Sequence, residues 1–259
     1  MHKVLKYINN VPFPVTVRHL TSLGPVLSKL KDGELRSAES WQAMRDHHPY
    51  YRIPEDRETW LKDLFANKDG QDSKLEDRVR SFAELLEREG VKTVYSIGSG
   101  GGVFEYFLKK RAPHIKIVCS ELTQEGVDRL RRVFIECDEV IVFDALNVES
   151  WKKVGADKDG IVFIYRNEHE FTDDEWRIMM RSMHASGVTR VFLGLMYLLT
   201  ILAYVQAKIR NTKKRLRGEP IVFTGYLRNY ARFKSFWRGR YIDREVAFPN
   251  CRGFYLERR

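Results

Sequence analysis

At 259 residues and 43% hydrophobic content, the chain has a folded protein's composition and room for one large domain or one with an extension. Three scattered cysteines, Cys119, Cys137 and Cys251, lack CxxC or metal-ligand spacing, so they exclude a disulfide framework, point to no metal, and read as reduced thiols of a cytoplasmic protein. The formal charge of +10 is uneven: from Lys208 onward 15 Lys and Arg stand against four Asp and Glu, so an anionic partner should meet that end.

Met1 to Leu20 carries charges and two prolines where a signal peptide would have an apolar core, which predicts no secretion. Residues 1–89 read as a helical cap or lid region. Within it His47-His48-Pro49-Tyr50-Tyr51-Arg52 is a polar and aromatic cluster, and Tyr50, Tyr51 and Arg52 are candidate substrate contacts. A longer helix over Leu75 to Glu89 places Leu75, Val79, Phe82, Leu85 and Leu86 on one face.

From residue 90 strands and helices alternate. Strands are expected at Lys92–Ile97, Ile115–Ser120, Glu139–Phe143, Gly160–Tyr165 and Thr189–Leu195. Helices follow Gly102, Thr123, Val148 and Thr172. Met196 to Arg217 reads as a helix, apolar first and basic later, and Tyr226 to Trp237 as another. Arg240 to Phe248 and Gly253 to Glu257 form a terminal hairpin around Pro249-Asn250. The pattern implies an α/β fold: a seven-stranded, mainly parallel Rossmann-like sheet with an antiparallel terminal hairpin, plus the N-terminal helical extension (1–89 and 90–259).

Four positions point to a cofactor. Gly98, Gly100 and Gly102 form a strand-to-helix turn where a ligand can approach the main chain and the helix N-terminus. Position 103, where a dinucleotide fold places Gly or Ala, is Val. Glu121, after the second strand, can accept from ribose hydroxyls. Asp144-Ala145, after the third, offers an acceptor for an adenine amino group beside a small side chain. The terminal hairpin is the fourth.

Together these positions resemble the class I S-adenosylmethionine-dependent methyltransferases over about residues 75–259. The resemblance implies strand order 3-2-1-4-5-7-6 and S-adenosylmethionine as cofactor. It implies that the glycine turn meets the methionine and ribose part, that Glu121 holds the ribose and that Asp144 and Ala145 flank the adenine. Ser96 stands where the family carries Asp or Glu; a serine can bond the ammonium or a loop amide without charge. Glu105 either compensates or favours the helix dipole.

Chemistry is expected after the fourth strand, at Tyr165-Arg166-Asn167-Glu168-His169-Glu170. Tyr165 is a candidate cofactor contact and Arg166 an anion-binding group. His169 is the natural base near neutral pH, with Glu168 or Glu170 orienting it or acting instead. The segment lacks the Asn/Asp-Pro-Pro-aromatic motif of adenine and amide nitrogen enzymes, which favours oxygen or a simple amine. The expected activity is O-methylation of a small molecule or glycan, lipid-linked or anionic. Alternatives are RNA methylation, with the basic and aromatic residues from Arg228 to Arg238 meeting the nucleic acid, and a non-catalytic cofactor-binding scaffold. Residues 196–217 could also lie on an anionic membrane at the inner face.

Overall fold

The computed structural model describes residues 13–21, 53–66, 74–195, 198–218 and 222–259. Strand β1 (Thr16–Thr21) is followed by α1 (Arg57–Ala66) and α2 (Leu75–Arg88). Then strands and helices alternate: β2 (Thr93–Ser96), α3 (Val103–Arg111), β3 (Lys116–Glu121), α4 (Gln124–Val133), β4 (Glu139–Val142), α5 (Val148–Ala156), β5 (Gly160–Tyr165), α6 (Asp173–Ala185) and β6 (Arg190–Leu195). The chain closes with α7 (Ile201–Leu216), β7 (Val222–Arg228), α8 (Tyr230–Trp237), β8 (Tyr241–Val246) and β9 (Arg252–Arg258).

Seven strands form one sheet in the order β4-β3-β2-β5-β6-β9-β8. The first five are parallel, β9 runs antiparallel to β6, and β8 antiparallel to β9. This is the order the resemblance implies, with the terminal hairpin supplying the one reversed strand, β9. The buried strands read as apolar runs because both faces are covered. On β5, Ile161 and Phe163 face a core with Phe82, Leu86 and Phe104; Val162 and Ile164 face one with Trp151, Trp176 and Phe233. Helices α1 to α4 therefore cover one face, and α5, α6 and α8 the other. Leu75, Val79, Phe82, Leu85 and Leu86 are all buried, as the helical spacing requires.

Helix starts follow their side-chain caps. Thr123 accepts from the Gly126 N–H, Thr172 and Glu175 form a reciprocal capping box, and Asn229 accepts from the Arg232 N–H.

Two stretches depart from the helical reading. Residues 16–21 of the N-terminal region are a strand, paired antiparallel with β7 in a second, two-stranded sheet. The segment read as one helix over Tyr226–Trp237 is strand up to Arg228; only then, after the Asn229 cap, does α8 begin. Tertiary pairing explains both: each stretch needs a partner more than 200 residues away, and local spacing carries no sign of it. The helix read over Met196–Arg217 starts at Ile201, after Leu198 bridges to Arg228. Among the described residues no helix is long and apolar enough to cross a membrane.

Candidate active site

Four parallel strands bring their carboxyl ends to one edge of the sheet. There β2 opens into the glycine turn, β3 ends on Glu121, β4 leads to Asp144 and β5 leads to Tyr165–Glu170. Because β3 lies on one side of β2 and β5 on the other, the turn sits where the connections change direction, the usual ligand crevice of an open α/β sheet.

The turn needs glycine. Gly98, Gly100 and Gly102 have φ of 67°, 55° and 72°, all left-handed. Its amides are held from several sides. Gly98 N–H donates to Ser120 Oγ at 3.0 Å and Gly100 N–H to Glu121 Oε1 at 2.7 Å. From the N-terminal side, the Trp60 indole N–H donates to the Gly101 carbonyl at 2.8 Å, so α1 docks on the turn. Nothing lies within 4 Å of where a Cβ on Gly100 would stand, which leaves its backbone open to a ligand.

Ser96 meets a carboxyl. Its hydroxyl donates to Glu105 Oε1 at 2.5 Å, and both residues are buried. A carboxyl thus stands beside Ser96, supplied by the first turn of α3. Burial pushes the Glu105 carboxyl up to about 7; the Ser96 hydroxyl opposes that rise and the charge of Glu121 adds to it. Unfolded, the group titrates near 4.5. The native state thus binds the proton more tightly, and stability falls as pH rises from about 4.5 through about 7, then levels off. Replacing Glu105 with Gln should flatten that slope and stabilise the protein by about 3 kcal/mol above the native titration. Urea midpoints between about pH 5 and pH 8 check this; equal slopes in both proteins would refute it.

Glu121 is buried at the end of β3, and through Gly100 it braces the turn. A carboxylate has capacity for several donors, so this bond leaves room for hydroxyls of a ligand. Asp144 is exposed, and its Oδ1 accepts from the Leu146 N–H at 2.8 Å in a local turn. Ala145 is buried beside it, its carbonyl held by the Trp151 indole N–H.

After β5, Tyr165 is half-buried among Phe104, Phe163 and Phe248, with the Arg78 and Arg166 guanidinium groups each 5.9 Å from its ring. Arg166 has φ of 63°, uncommon for a residue with a side chain, and such strain is found at functional turns. Glu168 is only 1% exposed, so its carboxyl is part of the interior and not of a solvated loop. His169 and Glu170 are half-buried. The carbonyl of His169 accepts from Tyr226 N–H at 2.7 Å, and a Cβ on Gly225 would lie 2.4 Å from that oxygen. Only glycine lets β7 pass so close. Tyr50, Tyr51 and Arg52, with His47 and His48, lie outside the described residues.

Asn167, without an assigned role in the sequence, and Arg228, read there only as a nucleic-acid contact, join the site. Asn167 donates through its amide to the Ile97 carbonyl at 2.7 Å, that amide nitrogen lies 3.0 Å from where a Cβ on Gly98 would stand, and its Oδ1 is buried with no partner among the described residues. A buried orphan acceptor is a point where a ligand donor fits. Its only sequence signal was its place just past a strand end. Arg228 is fully buried. Its guanidinium donates to Asp173 Oδ1 at 2.7 Å, to the Glu168 carbonyl at 3.0 Å and to the Phe171 carbonyl. Burial lowers its pKa, and the bond to Asp173 opposes that. It ties the polar loop to β7 and α6, a role that its place among the basic residues of that stretch did not signal.

Part of the surface expected for a nucleic acid lies inside, while Lys234 and Arg238 are exposed. Phe233, Phe236 and Trp237 are core residues and Arg228 is buried, so they supply neither stacking faces nor a phosphate contact.

No protein-family model and no curated protein matches the chain. Solved structures do. Human N-acetylserotonin methyltransferase, in complex with S-adenosylmethionine, is 11% identical with a TM-score of 0.50, over 82% of this chain and 59% of that one. An O-methyltransferase described as putative, from Nostoc punctiforme, is 14% identical with a TM-score of 0.53, over 76% and 60%. Magnesium protoporphyrin IX methyltransferase from Synechocystis, with bound S-adenosylhomocysteine, is 13% identical with a TM-score of 0.54, over 87% and 97%. The chain thus spans about three fifths of the first two and nearly all of the third. At these identities the likeness is one of fold.

Proposed function

We propose that this chain, whose fold is that of the class I methyltransferases, is itself an S-adenosylmethionine-dependent methyltransferase acting on an oxygen of a small molecule or glycan. One observation carries the reading. The open glycine turn, the carboxyl of Glu121 and the orphan acceptor of Asn167 converge at the switch point of the sheet. The named structural neighbours, two of them holding the cofactor or its product, support it.

The residues present fit the cofactor. Gly98, Gly100 and Gly102 would hold its methionine part, Glu121 its ribose, and Asp144 with Ala145 its adenine. Ser96, backed by Glu105, and Asn167 supply neutral and acceptor groups at the ammonium end, and Tyr165 a wall. When bound, S-adenosylmethionine supplies a methyl group on a cationic sulfur, already activated for displacement. The remaining work falls on the chain: to orient a hydroxyl, take its proton and exclude water. His169 takes that proton, because an imidazole is a competent base near neutral pH and its main chain is pinned by β7. Glu170 is the group best placed in sequence to orient it; Glu168, buried, serves the interior of the loop. Arg166 would hold an anionic group of the acceptor, and Tyr50, Tyr51 and Arg52 are further candidate contacts for it.

The test has two arms. Calorimetry with S-adenosylhomocysteine checks the cofactor alone. Labelled methyl transfer into small-molecule, glycan, lipid and RNA fractions finds the acceptor. Once an acceptor is known, His169→Ala should lower turnover by about a hundredfold or more while product affinity stays near the parent value. Unchanged turnover removes His169 as the base; label in the RNA fraction alone removes the small-molecule reading.

A further inference from the structure

Helix α7 buries none of its residues. Ile201, Leu202, Val205, Ile209 and Leu216 are 44%, 56%, 45%, 52% and 83% exposed. At 3.6 residues per turn they fall within one arc of about 100°, an apolar stripe unbroken from Ile201 to Ile209 and resumed at Leu216 beyond Thr212. Lys208 and Arg215 border the stripe on one side and Lys213 on the other, with Arg210 and Lys214 behind. No acidic residue occurs between Glu175 and Glu219. The helix is anchored at its start, where Thr200 accepts from the Ala203 N–H and Leu199 N–H donates to the Arg228 carbonyl. Its start is therefore held by the same strand that bonds His169.

We propose that α7 is an interfacial helix that seats the protein on an anionic lipid surface, with the aliphatic stripe in the headgroup boundary and the flanking cations on lipid phosphates and carboxylates. Charge complementarity selects this occupant. A second copy packed through the same face would bring five cations against five with no acid to pair them. A nucleic acid would meet aliphatic side chains at the centre of the face, where stacking needs rings. A lipid surface satisfies both halves, since apolar burial and attraction to anionic headgroups act together. The inference stands apart from the methyltransferase reading and does not need it.

The test is flotation of the full-length chain with vesicles of phosphatidylcholine alone and with about a third phosphatidylserine. Binding should be about tenfold stronger to the anionic vesicles and should weaken as salt is raised. Ile209→Ser and, separately, Lys213→Glu should each reduce it several-fold, with unchanged circular dichroism, since both sites lie on a helix that buries none of its residues. Five results would overturn the proposal: no binding to either vesicle, equal binding to both, and binding untouched by both variants are three. The fourth is a dimer that forms without lipid and is broken by Ile209→Ser, which assigns the face to a second copy. The fifth is a face already shielded without vesicles, read as a fluorophore at position 209 that a soluble quencher cannot reach; that would assign the stripe to residues 22–52 of this chain.

Discussion

Glu121→Ala should bind S-adenosylhomocysteine about ten- to a hundredfold more weakly than the parent chain by calorimetry. The loss has two sources. The carboxylate is the expected partner of the ribose hydroxyls, and bonds to a charged group contribute about 1.5 to 3 kcal/mol. It is also the acceptor for the Gly100 N–H at 2.7 Å, so its removal frees the turn that the cofactor must find already shaped. Glu121→Gln separates the two. An amide oxygen can still accept from Gly100, but without charge, so its affinity should lie between the other two. If both variants bind like the parent, Glu121 does not touch the ligand and the cofactor assignment fails. Asp144→Ala, at an exposed turn, should have a smaller effect on affinity and little on folding.

Arg228→Met should cost about 2 to 4 kcal/mol of stability, because two carbonyls and a partly exposed carboxylate lose a charged donor at once. The guanidinium is fully buried. Its loss leaves Asp173, among the described residues, with Thr16 and Arg232, and strips a donor from the carbonyls of Glu168 and Phe171. Lysine at this position should recover a minor part, because one ammonium cannot reproduce a planar fork that reaches three acceptors. Denaturant midpoints measure both. A change below about 1 kcal/mol in Arg228→Met would mean that the clamp is not what holds the loop. If the clamp does hold it, turnover should fall further than product affinity, because the loop carries His169 and the cofactor turn belongs to another strand.

Much of this was legible because it is local. The glycine turn, the Thr123 and Thr172 caps, the apolar run of Gly160–Tyr165 and the terminal hairpin each declare themselves within a few residues. Glu105 was half legible: its place in the first helical turn suits the dipole, but that it is buried against Ser96 depends on how α3 lies over the sheet. Arg228 was illegible for the opposite reason. In sequence it is one cation among many, and only the approach of α6, β7 and the loop after β5 turns it into an interior group. The aromatic residues of α8 looked like a nucleic-acid surface because helical spacing is the same whether a face meets a ligand or a core.

The small sheet also sets an order of events in time. Its strands, β1 and β7, come from opposite ends of the chain, with registers such as Thr16 to Arg228. During synthesis the parallel strands β2 to β6 emerge in sequence and can pair as they appear, whereas β1 must wait for β7. Until then the loop bearing His169 has neither the Tyr226 amide nor the Arg228 side chain to hold it. A nascent chain paused before β7 would carry the glycine turn without the bonds that hold the loop after β5. The turn can thus mature first, and the loop only when β7 has arrived.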